Sequence, residues 1–187
     1  KLVAAVPEGQ PNELSPADRA NAVGVLLFTS GSSGAPKPVM LGQKEIVSNM
    51  RGLIDRQKLV PGDRYLSFLP FFHIFGGIIG TVTPLISGGT IVMMDSFDAG
   101  ASLGLASKER CSVVFGVAPT YQSWFEHPDF SSTDISTLRT GICNAGKGPM
   151  ARMTKRVRAE LALTHSVFAM TETCGAPTCT DGSEAET

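Results

Sequence analysis

The chain has 187 residues, 42% of them apolar, with 16 Lys and Arg against 17 Asp and Glu for a formal net charge of −1. This length supports one domain with a sizeable core. The near-neutral balance, without a long basic or acidic run, excludes the footprint of a nucleic-acid or anionic-membrane binder. The longest apolar stretches, such as LPFFHIFGGIIG, are interrupted by Pro, His and Gly, and none reads as a transmembrane span.

Residues 1–20 are rich in Pro, Asn, Asp and Glu and read as a leader or linker with at most one short turn, ahead of a single unit over 21–187. The opening KLVAAVPEG is too soon interrupted for a signal peptide and begins without Met, so a trimmed or partial chain is expected. VGVLLF (23–28) is a continuous apolar run before a Gly-rich loop, the pattern of a strand buried on both faces. PVML (38–41) is a second short strand. Residues 43–58 place Ile46, Met50 and Leu53 at helical spacing. RYLSFLP (64–70) reads as a strand ending at Pro, and FGGIIGTVTPLISGG as a buried helix ending before its last two glycines.

Further along, TIVMM (90–94), CSVVFG (111–116) and LRTGIC (138–143) read as strands. Residues 99–109, 118–127 and 148–162 read as helices, the second opening with Pro in its first turn. HSVFAMTE (165–172) begins as a strand and runs into a polar loop. Strands alternating with helices predict an α/β fold, a layered, mainly parallel sheet flanked by helices. Ligands of such sheets bind beyond the carboxyl ends of strands. Three polar loops, TSGSSG, NAGKG and TETCG, follow predicted strands and are expected to converge. Cys111, Cys143, Cys174 and Cys179 lack zinc-site spacing and are read as free thiols of a reducing cytoplasm.

TSGSSGAPKP (29–38) has the chemistry of an anion loop. Gly31 and Gly34 open backbone conformations closed to other residues, so successive N–H groups can face inward. Thr29, Ser30, Ser32 and Ser33 add hydroxyls, and Lys37 adds a charge. A solvent-exposed flexible turn is the alternative reading. A Walker A loop would place Gly where Pro36 stands and Ser or Thr where Pro38 stands, so that motif is excluded.

LLFTSGSSGAPKPVML resembles the phosphate-binding signature of adenylate-forming enzymes. LSFLPFFHIFGG, GVAPTYQSWFEHPDF, DISTLRTGICNAGKGPM and FAMTETCG resemble further segments of that family, in the same order and over roughly residues 20–180. The EHPDF…LRTG stretch is closest in character to fatty-acyl and medium-chain acyl-CoA ligases. The resemblance implies part of the N-terminal domain of an enzyme that uses ATP and Mg²⁺ to convert a carboxylic, in the first place fatty, acid to acyl-AMP. The acyl group then passes to coenzyme A. An acyl-AMP ligase serving a carrier protein and a non-catalytic nucleotide-binding module are its alternatives.

On matching positions, the resemblance implies that Thr29, Ser30, Gly31, Ser32, Ser33, Gly34 and Lys37 hold the β- and γ-phosphates. Thr171 would bond the α-phosphate and Glu172 would hold Mg²⁺. Without the motif, Thr171-Glu172 reads as a helix cap with a solvated acid. Phe168 stands where an aromatic ring stacks on adenine, and core packing is its other reading. Asn144, Ala145 and Gly146 would line the adenine and acyl pocket. His73 would lie near the acyl site, or else be structural. Phe71, Phe72, Phe75, Trp124 and Met170 are candidates to enclose the acid or to fill the core. Pro38 and Ala169 replace glycines of the pattern, and CNAGKG is one residue longer than its counterpart. The segment that would hold the ribose, and the mobile C-terminal domain with its lysine, have no counterpart in these 187 residues, so the chain alone is expected to be inactive.

Overall fold

The computed structural model describes residues 15–30, 34–144, 151–161 and 167–179. In chain order the elements are α1 (Pro16–Asn21), β1 (Val23–Thr29), β2 (Lys37–Gly42), α2 (Gln43–Gln57) and β3 (Arg64–Ser67). A π-helical turn (Phe75–Ile79) leads into α3 (Gly80–Ser87), followed by β4 (Thr90–Met93), α4 (Ala99–Lys108), β5 (Val113–Val117) and α5 (Ala118–Glu126). Then come β6 (Thr140–Asn144), α6 (Ala151–Leu161), β7 (Val167–Met170), a 3₁₀ turn (Thr171–Thr173) and β8 (Gly175–Cys179).

Four strands form a parallel sheet in the order β4-β3-β5-β6. Both faces are covered because successive apolar residues of each strand point to opposite sides. On β3, β5 and β6, Tyr65, Val113, Phe115 and Ile142 join one apolar cluster with Met50 and Leu53 of α2 and Ile79 of the π turn. Their neighbours Leu66, Val114 and Cys143 join a second cluster with Leu103 of α4, Trp124 of α5 and Val157 of α6. The result is a helix–sheet–helix sandwich. The stripe on α2, Ile46, Met50 and Leu53, is buried as its spacing predicts.

The amino ends of the strands are tied by Asp63, whose side chain is 3% exposed. It accepts from the Ser112 hydroxyl at 2.7 Å, from the Val60 N–H at 2.9 Å and from the Arg139 guanidinium. A buried carboxylate is tolerable only when so paired. This leaves the carboxyl ends free for a site.

Three expectations change. β1 is a strand, but not one buried on both faces: it pairs with β2 in an antiparallel hairpin outside the parallel sheet. Val25, Leu27, Val39 and Leu41 pack on the first cluster, while Leu26, Phe28 and Met40 of the other face are 50%, 64% and 71% exposed. α1 occupies part of the segment read as a leader, with the Ser15 hydroxyl accepting the Asp18 N–H at 3.2 Å as an N-cap. Finally, TETCG is not simply a loop: it turns β7 back into β8, an antiparallel pair that the pattern did not reveal. No helix among the described residues is long and apolar enough to cross a membrane.

Candidate functional site

The strand order places a topological switch between β3 and β5. From β3 the chain moves outward to β4, then returns to the other side of β3 for β5 and β6. Open α/β sheets bind ligands beyond the carboxyl ends at such a point. A cavity of about 390 Å³ lies there, lined by His73 from the loop after β3 and Val117 at the end of β5. Thr29 and Ser30 enter it from β1, and Thr171 and Glu172 from the turn after β7. Five polar residues singled out from the sequence thus share one cavity although up to 143 positions separate them (Glu172 minus Thr29).

Each is placed by local chemistry. The β1–β2 hairpin pairs Thr29 with Lys37, so the phosphate-loop candidate is the hairpin's own connection. Gly34 has a φ of 85°, in the left-handed region. His73 donates its backbone N–H to the Pro70 carbonyl at 3.1 Å, and its Nδ1 accepts from the Phe75 N–H at 3.1 Å. In the neutral ring this puts the proton on Nε2, away from the turn. Thr171 and Glu172 follow β7 in the 3₁₀ turn, which ends on two positive-φ residues, Cys174 at 58° and Gly175 at 119°.

The arrangement offers hydroxyls, an imidazole and one carboxylate around an open space. This donor set suits a phosphate chain with a hard cation. Mg²⁺ takes oxygen ligands, needs few carboxylates and shares substrate phosphates. Glu172 is exposed on the cavity wall and has that chemistry.

Other candidates lie elsewhere. Lys37 is exposed at the start of β2, across the hairpin from Thr29. Phe168 is 59% exposed on the strand face opposite to its cavity-lining neighbours Val167 and Ala169. Asn144 ends β6 in register with Val117. Gly31, Ser32, Ser33, Ala145 and Gly146, and with them most of the NAGKG loop, fall outside the described residues. Of the apolar candidates, Phe75 and Met170 line the cavity. Phe71 and Phe72 are 52% and 83% exposed. Trp124 is fully buried in the second cluster, its indole N–H donating to Ser102 Oγ at 2.7 Å between α4 and α5, so it is a core residue and encloses no acid.

Sequence reading missed Val117. Its signal is its place as the last residue of an apolar strand facing the Asn144 position. It also missed a second cavity, of about 520 Å³, which adjoins the first through Glu172 and is bounded by Lys44, Ser48 and Thr173.

A family model described as AMP-binding enzyme matches residues 3–187. A feruloyl-CoA synthase of Amycolatopsis sp is 33% identical over 148 residues, 79% of this chain and 30% of that protein. Acyl-CoA ligase SID4 of Ajellomyces capsulatus is 36% identical over 169 residues, 89% of this chain and 28% of that protein. This chain therefore spans less than a third of the length of these curated relatives. Among solved structures, ATP-bound MatB of Rhodopseudomonas palustris superposes with a TM-score of 0.77 at 26% identity, over 90% of this chain and 33% of that one. The inhibitor-bound N-terminal domain of FACL13 from Mycobacterium tuberculosis gives 0.73 at 26%, over 82% of this chain and 38% of that domain.

Proposed function

The chain belongs to the AMP-binding enzyme family, and from that premise we propose that residues 21–187 are part of the N-terminal domain of an ATP-dependent acyl-CoA ligase. Its reaction joins a carboxylic acid, in the first place a fatty acid, to AMP with loss of pyrophosphate, then passes the acyl group to CoA. The observation that carries this reading is the single cavity shared by Thr29, Ser30, His73, Thr171 and Glu172.

The chemical difficulty is repulsion between a carboxylate and a triphosphate, so positioning and charge neutralisation carry the catalysis. Thr29, Ser30 and the loop that follows hold the β- and γ-phosphates, with Lys37 reaching over the hairpin. Thr171 donates its hydroxyl to the α-phosphate. Glu172 holds Mg²⁺, which when bound neutralises phosphate charge. His73 directs its Nε2 proton to the acid or the acyl-phosphate oxygen. Phe168 offers its exposed ring to adenine, with Asn144, Ala145 and Gly146 as further residues for that pocket. The four free cysteines suit a reducing cytoplasm. The 187-residue chain alone does not complete the reaction in this reading, since it spans less than a third of its curated relatives.

The test is ATP–pyrophosphate exchange across a panel of acids, using the complete polypeptide that contains this chain. Glu172→Gln and Thr171→Val are each expected to lower kcat about 100-fold, the scale of losing one preorganised group at developing charge. Exchange unchanged by Glu172→Gln overturns the reading. Acyl-adenylate that forms and is not consumed by CoA points to a carrier-protein acceptor instead.

A further inference from the structure

We propose that Thr173, which does not line the candidate site, is a positioning residue whose hydroxyl fixes the turn presenting Thr171 and Glu172. The inference rests on the reading that those two residues act on ATP and its cation.

Thr173 Oγ1 sits at the centre of the turn's hydrogen bonding. It accepts the Met170 N–H at 3.3 Å and donates to the Met170 carbonyl at 3.0 Å, with the Gly175 carbonyl also in reach at 3.2 Å. The hydroxyl has one proton for these two carbonyls, and when that proton goes to Gly175 the hydroxyl joins the last residue of β7 to the first residue of β8. It closes a ring around Thr171 and Glu172.

The turn needs this closure. A 3₁₀ segment of three residues has little hydrogen bonding of its own. Here the backbone supplies one closing bond, Cys174 N–H to the Thr171 carbonyl at 3.1 Å. The β7–β8 ladder pairs Met170 with Gly175 across the turn, but the register shifts between Phe168 and Met170, so this pair is set off from the rest of the ladder. The backbone is also held in an unfavourable form, with non-glycine Cys174 at φ 58°. Such a conformation persists only when its surroundings over-determine it.

The far side is pinned independently. Asn49 Oδ1 on α2 accepts the Ala176 N–H at 3.1 Å. A Cβ on Gly175 would lie 3.2 Å from Met50 Cε and 3.3 Å from Ile79 Cγ1, so β8 sits close against α2 and the π turn. With β8 anchored there, the Thr173 hydroxyl transmits that anchorage to the two residues facing the cavity. Thr173 itself borders the neighbouring cavity, beside Lys44 and Ser48.

The test compares Thr173→Val, Thr173→Ala and Thr173→Ser with Glu172→Gln in the complete polypeptide, following pyrophosphate exchange against ATP and Mg²⁺ concentration. Valine keeps the shape and removes the hydroxyl; serine keeps the hydroxyl. Valine and alanine are each expected to lower kcat about tenfold and to shift the Mg²⁺ dependence to higher concentration, since small misplacements of reacting groups are costly. Serine is expected to stay within about twofold of wild type on the same scale. Should valine prove insoluble, the alanine and serine pair decides. Wild-type behaviour of valine or alanine with Glu172→Gln impaired overturns this inference and leaves the functional reading standing. Serine as impaired as alanine also overturns it, because packing of the methyl group would then be responsible. Wild-type behaviour of Glu172→Gln overturns the underlying reading itself.

Discussion

A Cβ on Gly76 would lie 2.3 Å from the Pro70 carbonyl oxygen and 2.6 Å from that of Leu69, and one on Gly77 2.2 Å from that of Phe71. These contacts are with backbone, which cannot rotate away. The two glycines let the loop after β3 fold back on the π turn, and that fold carries His73. Gly76→Ala is therefore expected to cost about 1–3 kcal/mol, as overpacking does, and to displace His73. Chemical denaturation reads the first effect, and a changed KM for the acid in the complete polypeptide reads the second. An alanine variant of wild-type stability would show that the loop yields freely. From the sequence, this stretch reads only as part of a buried helix, with no expectation of close backbone approach at Gly76 and Gly77. Which atoms approach was not legible, because Leu69 and Pro70 reach Gly76 only through the tertiary turn.

Among the elements, the β1–β2 hairpin departs most from its sequence pattern. A continuous apolar run is ambiguous between burial on two faces and burial on one with the second face open. Within the described residues the outer face of Leu26, Phe28 and Met40 is uncovered. Phe28→Thr keeps strand propensity and removes exposed apolar area. It is expected to change stability by no more than about 0.5 kcal/mol while lowering binding of a hydrophobic dye by this chain. A large loss of stability would mean that Phe28 belongs to the core. The other elements were legible where a side-chain period existed: α2 through its buried stripe, and β3, β5 and β6 through apolar runs that pack on both sides. β8 was not, because GAPTC has neither period nor branched apolar residues. What makes it a strand is its pairing with β7 and the Asn49 bond.

For the whole molecule, burial sets an alkaline limit. Desolvation pushes the thiols of Cys111 and Cys143 up from 9.0 to about 11 and the Tyr65 hydroxyl up from 10.0 to about 12. The unfolded thiols lose their protons near pH 9 while the folded ones keep theirs to about 11. Between these values the folded state binds more protons, so stability falls as pH rises. The contribution is complete below about pH 9 and lost by about 11. Urea denaturation from pH 8 to pH 11 is expected to show this decline, and Cys143→Ala to flatten it. A Cys143→Ala variant with an unchanged slope would remove that thiol from the explanation.

Local chemistry determined much of this protein before any folding is considered. Small hydroxyl residues and glycines after one strand are legible as an anion loop from type and spacing, whereas Thr171-Glu172 and His73 are singled out only by their resemblance to family segments. Exclusion of the Walker A geometry is equally local, since Pro36 and Pro38 forbid it on their own. Tertiary structure alone decided that Thr29, Ser30, His73, Thr171 and Glu172 meet in one cavity, that Trp124 belongs to the core, and that Thr173 closes the turn. These depend on strand order, which reverses between β3 and β5, and on contacts between residues more than a hundred positions apart, such as Asn49 with Ala176. No local periodicity encodes such distances. They arise only when apolar faces bury one another and bring the strand ends together.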